Sequence, residues 1–262
     1  MSFPTGTAIV IPGVTGNTSY APIDMDAVDK AAIITPGLIA FSRAKKFANT
    51  AKANASYKDR TGNVVTVAGT AKTYVEAMAA MNGKPAVTMD GANGAGPYKL
   101  GGMVLPASFT FVTVVNVGAL KDGNNLLKDT ANQFQFNSTA KGQLSIDSDG
   151  GGSGDTSHST AAGTLAAGAS YLVGCSHDAA TKTSRIFVGS AAALGTWVSA
   201  VAHAAGGVPL PFGSSEGANN FNFNGSWGMW ALFDRPFGGG ASASDEVLFA
   251  AFIAAVKAHW SV

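Results

Sequence analysis

The sequence predicts an all-β protein: an antiparallel β-sandwich (jelly roll) preceded by an N-terminal arm and followed by one C-terminal amphipathic helix. Charged residues make up 13% of the 262 residues, whereas an average soluble domain has roughly 25%. Gly, Ala, Ser, Thr and Asn fill the intervals between short apolar runs. Short runs that repeat between turn residues are typical of strands rather than of long helices.

The strongest strand pattern covers residues 109–117. Alternate positions share one face of a strand, and the first face is mostly apolar: Phe109, Phe111, Val115 and Val117. Val112 and Val114 make the second face apolar as well. A strand with two apolar faces is buried on both sides, so we expect this one in the middle of a sheet.

Shorter patterns predict the other strands. Residues 133–137 alternate polar and apolar side chains, as do Leu144 and Ile146 with their neighbours, which indicates strands with one wet face. Further strands are predicted at residues 171–177, 185–189, 220–224 and 227–233. Turns rich in Gly, Asp or Asn separate several of them.

One helix is predicted at the C-terminal end. Ser242 and Asp245 stand three residues apart, in the capping-box arrangement that begins a helix. Residues that could form one face then recur at helical spacing: Leu248, Phe252, Ala255, Val256 and His259. We expect this face to dock on the sandwich. Residues 73–81 give a weaker helical prediction from their Ala and Met content.

Residues 1–35 are predicted to form an anchoring arm or linker, and residues 36–262 the sandwich domain. The arm combines Pro, Gly, Thr and Asn with scattered apolar side chains. We predict that Phe3, Ile9 and Ile11 hold it against a neighbouring subunit, since extended segments can add strands to an adjacent sheet. The first residues have no basic leader, so no signal peptide is expected.

Several segments, taken in order, match the pattern of one known family. They are residues 36–41 and the turn 58–63, the NGKPAVTMDG element at 82–91, the strand pair at 171–178 and 185–189, and residues 223–237 before the last helix. Residues 36–262 thus resemble the concanavalin A-like lectin and glucanase superfamily, specifically the laminin G-like modules of bacterial secreted and phage structural proteins. The resemblance implies the sandwich fold, and function has to come from the site, because this fold hosts lectins, glycanases, adhesion modules and virion proteins.

No catalytic residue is predicted. Glycanases need a pair of carboxylates beside the scissile bond, and the three Glu residues (Glu76, Glu216 and Glu246) belong to no closely spaced acidic array on a strand. Ser215 lies in a G-x-S-x-G pattern, but an Asn-rich run follows it instead of the helix that a nucleophile elbow requires. We therefore expect a protein without enzyme activity.

No metal or cofactor is predicted either. Asp147, Asp149 and Asp155 lie in a Gly-rich stretch that could ligate calcium, but their spacing departs from both the EF-hand and the glycine-rich calcium repeat. A solvated hairpin loop is the favoured interpretation. The four histidines lack the spacing of zinc ligands, and Cys175 is expected to be a small buried core residue.

The tryptophans are the candidate sugar-stacking residues, because an exposed indole ring can pack on a sugar. Alternation from Trp227 through Met229 to Ala231 places Trp227 in the core. Trp197 lies in a loop-like stretch and is the predicted glycan-binding residue.

A formal net charge of +1 without a dense Lys/Arg stripe argues against nucleic acid as a partner. No run reaches the roughly 20 apolar residues of a membrane helix. The resemblance favours a non-enzymatic structural or binding protein on a bacteriophage virion, as a capsid decoration, head-fibre or tail-associated component made in the host cytoplasm. We expect a homo-oligomer that contacts other virion proteins through its arm, with host surface glycans as a further ligand. The alternatives are a soluble or secreted bacterial carbohydrate-binding module and, less favoured, a polysaccharide-degrading enzyme.

Overall fold

The computed structural model describes residues 25–47, 56–67, 73–90, 98–100, 104–128, 135–147, 157–199, 203, 211–212 and 223–262. Its helices are α1 (Ala27–Ile34) and α2 (Ala243–Trp260), with short 3-10 helices at Ala44–Phe47 and Ala79–Met81. Its strands are β1 (Leu38–Arg43), β2 (Ser56–Lys58), β3 (Val64–Val67), β4 (Thr73–Met78), β5 (Lys84–Asp90), β6 (Tyr98–Leu100), β7 (Phe109–Val117), β8 (Asn124–Lys128), β9 (Gln135–Ser138), β10 (Leu144–Asp147), β11 (Ser157–Ser159), β12 (Ser170–Asp178), β13 (Thr183–Val188), β14 (Ala193–Val198), β15 (Pro211–Phe212) and β16 (Asn224–Phe233).

These strands form two antiparallel sheets. The back sheet has the order β14-β13-β12-β7-β16-β5-β4, and β1 also pairs with β16. The front sheet has the order β11-β10-β9-β8-β15-β6-β3-β2. Side chains between the two sheets build the main core, and α1 and α2 pack a second apolar cluster against the outer side of the back sheet. The predicted β-sandwich with a C-terminal helix is therefore confirmed.

Strand β7 lies in the middle of the back sheet, and all nine of its residues are buried. Phe109, Phe111, Val115 and Val117 face the main core, as their spacing predicts. Val112 and Val114 face the helices. Two apolar faces are thus explained by two packed layers.

Strand β16, beside β7, contains a β-bulge. Trp227 lies in the main core, as predicted, but Met229 and Ala231 lie on the opposite, helix-covered face. The bulge between Trp227 and Met229 shifts the alternation by one residue. Gly228 lies at this point against Trp260 of α2, where a Cβ atom would come within 2.5 Å of the indole nitrogen. The close approach of helix and strand therefore requires glycine.

Helix α2 begins where the capping box predicts. The Oγ of Ser242 accepts a hydrogen bond from the Asp245 N–H at 3.3 Å. Glu246 in the first turn accepts hydrogen bonds from three backbone N–H groups of the preceding turn, those of Gly238, Gly239 and Ala241, at 3.0, 2.8 and 3.2 Å. The side chain of Glu246 thus has a structural role at the helix start.

The predicted buried face of α2 is partly wrong. The residues that α2 buries are Phe249, Phe252, Ile253, Val256 and Trp260, whereas Leu248, Ala255 and His259 are only half-buried. Residues 247–256 are apolar around nearly the whole helix, so periodicity alone does not determine which side faces the sheet.

Residues 73–81 are not helical along their length. They form strand β4 and a single 3-10 turn. Tyr74 pairs with Val87 and Val75 with Ala86 on β5. Pairing with an existing sheet outweighs the modest helix propensity of Ala and Met, because tertiary contacts commonly override propensity.

Helix α1 contains the last residues of the predicted arm and is tied to the sandwich by ion pairs. Arg43 of β1 pairs with Asp26 and with the nearly fully buried Asp29, the latter at 3.3 Å. Arg60 pairs with the second oxygen of Asp29 at 2.7 Å. Residues 1–24, with Phe3, Ile9 and Ile11, lie outside the described residues, so their partner contacts and the arm–domain boundary remain predictions.

Candidate functional site

The outer side of the front sheet carries polar side chains across four neighbouring strands, β8 to β11. Asn125 lies opposite Asn137, which lies opposite Ser145, which in turn lies opposite Ser159. Further along the strands, Asp147 lies opposite Ser157. Side chains two residues apart share a face, and the β-bulge of β8 between Asn125 and Leu127 puts Lys128 on the same face as Asn125. All of them therefore point away from the main core. We call the set the polar strip: Asn125, Lys128, Asn137, Ser145, Asp147, Ser157 and Ser159.

The row from Asn125 to Ser159 is buried at β8 and exposed at β11. Ser157 and Ser159 are exposed, and the hydroxyl of each lies within hydrogen-bond distance of the Ser145 hydroxyl, at 2.9 and 3.1 Å. Asn137 and Ser145 are only 8% and 5% exposed. The predicted wet face of these strands is thus polar but largely buried, which the alternation pattern alone does not reveal.

Asn125 lies at the closed end of the strip and is fully buried. Neither its amide nitrogen nor its amide oxygen has a hydrogen-bond partner among the described residues. Its neighbour Asn124 differs, since it donates to the Ser138 hydroxyl at 3.0 Å and accepts from the Asn224 N–H at 2.7 Å. A buried amide group left unpaired costs about 1–3 kcal/mol. Among the described residues, the fold therefore holds an unfavourable side chain at this position with no compensating hydrogen bond.

The groups of the strip are suited to ligands with many hydroxyls. Amide and hydroxyl groups both donate and accept hydrogen bonds. The two ionisable members, Lys128 and Asp147, are half-buried and opposite in charge, so the strip is neutral overall.

Trp197, the predicted sugar-stacking residue, lies on β14 at the edge of the sandwich. Its ring stacks on His158 of β11, with centroids 5.5 Å apart and an interplanar angle of 8°. A Cβ on Gly195 would come within 2.2 Å of the indole, so the ring also lies close to the β14 backbone. The half-buried indole links the edges of the two sheets, and its glycan-binding role stays a prediction.

The other predicted residues lie away from the polar strip or outside the described residues. Glu76 is on β4 of the back sheet, where it accepts a hydrogen bond from the Tyr74 hydroxyl at 2.7 Å. Glu216, Ser215, Asp149 and Asp155 are outside the described residues. Cys175 is fully buried, and burial raises the pKa of its thiol well above the usual value, which agrees with a core cysteine.

The described part of the chain contains neither a metal-binding cluster nor a membrane-spanning helix. Within it, no group of three or more His, Cys, Asp or Glu residues is placed to hold a metal ion. Neither of the two helices there is long and apolar enough to cross a membrane.

Comparison with known proteins gives a fold but no sequence relative. No protein-family model and no curated protein matches the sequence. Among solved structures, a sialidase from Trypanosoma rangeli matches with a TM-score of 0.56 and 16% identity, over 83% of this chain and 32% of the sialidase. The binding domain of paraclostridial mosquitocidal protein 1 matches with a TM-score of 0.58 and 11% identity, over 81% of this chain and 52% of that one.

A third similar structure is a complete domain of comparable size. It is domain 4 of an extracellular arabinanase from Geobacillus stearothermophilus, solved in complex with arabinotriose. It matches with a TM-score of 0.56 and 12% identity, over 80% of this chain and 97% of that domain. With the sheet order described above, these similarities show that the chain folds as a lectin-like β-sandwich of the concanavalin A type.

Proposed function

We propose that this protein is a non-catalytic carbohydrate-binding module whose polar strip holds a glycan. The observation that carries the proposal is the buried, unpartnered amide of Asn125. A sugar hydroxyl can donate to the amide oxygen and accept from the amide nitrogen, so it would satisfy both unpaired groups. Proteins commonly retain such locally unfavourable residues at functional sites.

Further support comes from the neighbouring groups. Asn137 and Ser145 continue the row toward the exposed hydroxyls of Ser157 and Ser159. In the proposed complex the glycan enters at the exposed serines of β11, and because Asn125 is fully buried, its amide is reached only after the cover over it opens. The similar arabinanase domain was solved with arabinotriose, which makes arabinotriose a reasonable first probe.

The absence of catalysis is part of the same proposal. The two Glu residues in the described part lie on the back sheet and at the start of α2, away from the polar strip. Asp147 is the one carboxylate of the strip, and glycoside hydrolysis ordinarily uses two. The proposed complex is therefore one of binding alone.

Replacing Asn125 by Leu tests the proposal. We expect Asn125→Leu to weaken glycan binding at least about tenfold, because the buried hydrogen bonds to the ligand are lost. We expect the same change to raise the free energy of unfolding by about 1 kcal/mol, since an unpaired amide is replaced by an apolar side chain. A glycan array followed by calorimetric titration of the best ligand, with arabinotriose included, measures binding, and urea unfolding measures stability.

Asn116→Leu is the matched control. Asn116 is also a buried amide, but it donates to the Gly168 carbonyl at 2.9 Å and to the Ser170 hydroxyl at 3.1 Å, on the back sheet. This change should lower stability and leave glycan binding intact. A stabilised Asn125→Leu variant that binds the glycan as tightly as the parent chain would contradict the polar strip as the site. A full-length chain without any glycan ligand would contradict the function.

The finer proposal places this module on a bacteriophage particle, as a capsid decoration, head-fibre or tail-associated protein. The motif resemblance to phage structural modules supports it, and a buried single cysteine is compatible with assembly in a reducing cytoplasm.

We expect the full chain to form assemblies of three or more copies, and a chain lacking residues 1–24 to lose them. Light scattering on both chains measures this. The cut precedes α1, whose ion pairs to Arg43 hold it on the sandwich, and equal assembly of both chains would leave the soluble module as the better proposal.

A further inference from the structure

Strand β14 is the edge strand of the back sheet and exposes apolar side chains. It pairs with β13 on one side and ends the strand order of that sheet. Leu194 and Val198 are 57% and 70% exposed, and Thr196 between them is also exposed. On the inner side of the same strand, Trp197 packs on His158. The inner side of β14 is therefore packed against the sandwich, and its outer side is exposed to solvent.

The backbone of β14 has hydrogen-bonding groups directed away from β13. The Ser199 N–H donates to the Lys182 carbonyl at 2.9 Å, which makes this pair a hydrogen-bonded one. Hydrogen-bonded and non-hydrogen-bonded pairs alternate in an antiparallel ladder, so the N–H and C=O groups of Val198 and Thr196 point outward. The β-bulge of this pairing lies at Leu194, between Gly195 and Ala193, so the regular part of the edge covers residues 195–198.

Charged residues, which commonly protect such edges, are missing from this segment. Natural proteins discourage edge-to-edge pairing with charged side chains or Pro on the edge strand. The sequence has no Asp, Glu, Lys or Arg from Ile186 to Ser215, and no Pro within β14. An open, neutral and partly apolar edge is suited to pairing with another strand.

We propose that β14 pairs antiparallel with β14 of a second copy of this chain, with the two-fold axis at Thr196. In this register Leu194 lies opposite Val198 of the other copy, and Thr196 lies opposite its own symmetry mate. Both exposed apolar side chains are then covered, and the two Thr196 residues exchange two backbone hydrogen bonds. Self-complementarity of this kind is the requirement for a two-fold dimer.

The dimer has a consequence for ligand binding. A two-fold axis between antiparallel edge strands stands perpendicular to the sheet, so the helices of both copies lie on one side and both front sheets on the other. The two polar strips then face the same direction. Two sites that face one glycan-coated surface bind it more tightly than either site alone.

Single cysteine variants of the full chain test the register. Thr196→Cys places two thiols opposite each other with Cα atoms about 5.5 Å apart, within the range for a disulfide. Leu194→Cys or Val198→Cys alone places the two thiols about 14 Å apart, four residues along the strand. We expect disulfide-linked dimers of Thr196→Cys under mild oxidation, none of the other two alone, and linked dimers when Leu194→Cys and Val198→Cys are mixed. The native Cys175 is fully buried and does not interfere.

Thr196→Lys tests the association itself, in a full chain that also carries Ile9→Asp and Ile11→Asp so that assembly through the arm does not contribute, by light scattering across a range of concentrations. Like charges directly opposite each other across a strand pair are destabilising, so the dissociation constant should rise at least about tenfold, with an unchanged thermal unfolding temperature. Ala254→Lys, on the exposed side of α2, should leave the dimer intact. So should Ile9→Asp combined with Ile11→Asp, which distinguishes this edge from pairing through the arm.

Three outcomes would overturn the proposal. They are a wild-type chain that stays monomeric at every concentration, a Thr196→Lys variant that still dimerises, and cysteine cross-links that form equally at all three positions. Glycan binding by a monomeric chain would leave the proposed function in place and remove only the dimer.

Discussion

Phe249→Ala is expected to lower the free energy of unfolding by about 4 kcal/mol, because removal of a buried phenylalanine side chain leaves a cavity. Phe249 stacks on Phe237 with ring centroids 4.4 Å apart, and its ring lies edge-on to Phe233 and Phe187 at 5.9 Å. It is fully buried between α2 and the back sheet. The loss therefore includes both apolar burial and aromatic pair contacts, which contribute about 0.5–1.5 kcal/mol each.

Leu248→Ala is the matched control, one residue earlier on the same helix. Leu248 is half-buried, so its truncation should cost only about 1 kcal/mol. Urea unfolding of both variants measures the difference. Equal losses would mean that α2 docks with the face that periodicity predicts rather than with the face that contains Phe249.

The contrast between β7 and α2 shows which parts of the fold were predictable. Both faces of β7 follow from the sequence, because a period of two leaves a single way to place its apolar residues. In α2 the apolar residues surround the helix, and only contact with Phe237 and Phe233 selects Phe249 for the core. In β16 the pattern fails at Gly228, because a bulge changes the face and a bulge depends on the partner strand.

The polar strip could not be predicted either, because it depends on contacts between separate strands. Its members come from four separate strands, and only the register of those strands brings Asn125, Asn137 and Ser145 into one row. Alternation places a polar residue on the outer face but does not reveal which residue lies opposite it. The sequence identifies Trp197 as a candidate because it is an isolated aromatic residue. The unpartnered amide of Asn125 can be identified only from its neighbours in the fold.

Acid should destabilise the protein well above the pH at which its carboxylates titrate, and His177 is a main cause. His177 is fully buried on β12, and burial lowers its pKa from 6.5 to about 4, with Arg185 lowering it further and Asp178 opposing the shift. The hydrogen bonds of His177 also favour the neutral imidazole. The Nε2 atom accepts from the His203 N–H at 3.1 Å, so the proton is on Nδ1, which donates to the Ser184 hydroxyl at 2.9 Å. Protonation of Nε2 would break the bond to His203.

The lowered pKa of His177 determines whether stability rises or falls with pH. Between pH 6.5 and about 4 the unfolded chain binds a proton at residue 177 that the folded chain does not, so stability rises with pH there. The contribution is complete above pH 6.5 and is lost as the pH falls toward 4, amounting to about 3 kcal/mol. His259 acts in the same window, because burial and Arg43 lower its pKa to about 4. Asp26, whose pKa is lowered by Arg43 against the effect of burial, acts only at more acidic pH.

His177→Asn separates this contribution from the others. The variant should be less stable than the parent chain near neutral pH, because the paired imidazole is lost, and its stability should fall less steeply between pH 6.5 and 4. His259 contributes a further part, so His177→Asn combined with His259→Asn should flatten the curve across that window more than either change alone. Urea unfolding at a series of pH values gives the curves. Parallel curves for the parent chain and His177→Asn would mean that residue 177 binds a proton as readily in the folded as in the unfolded chain, which the hydrogen bond from the His203 N–H to Nε2 opposes.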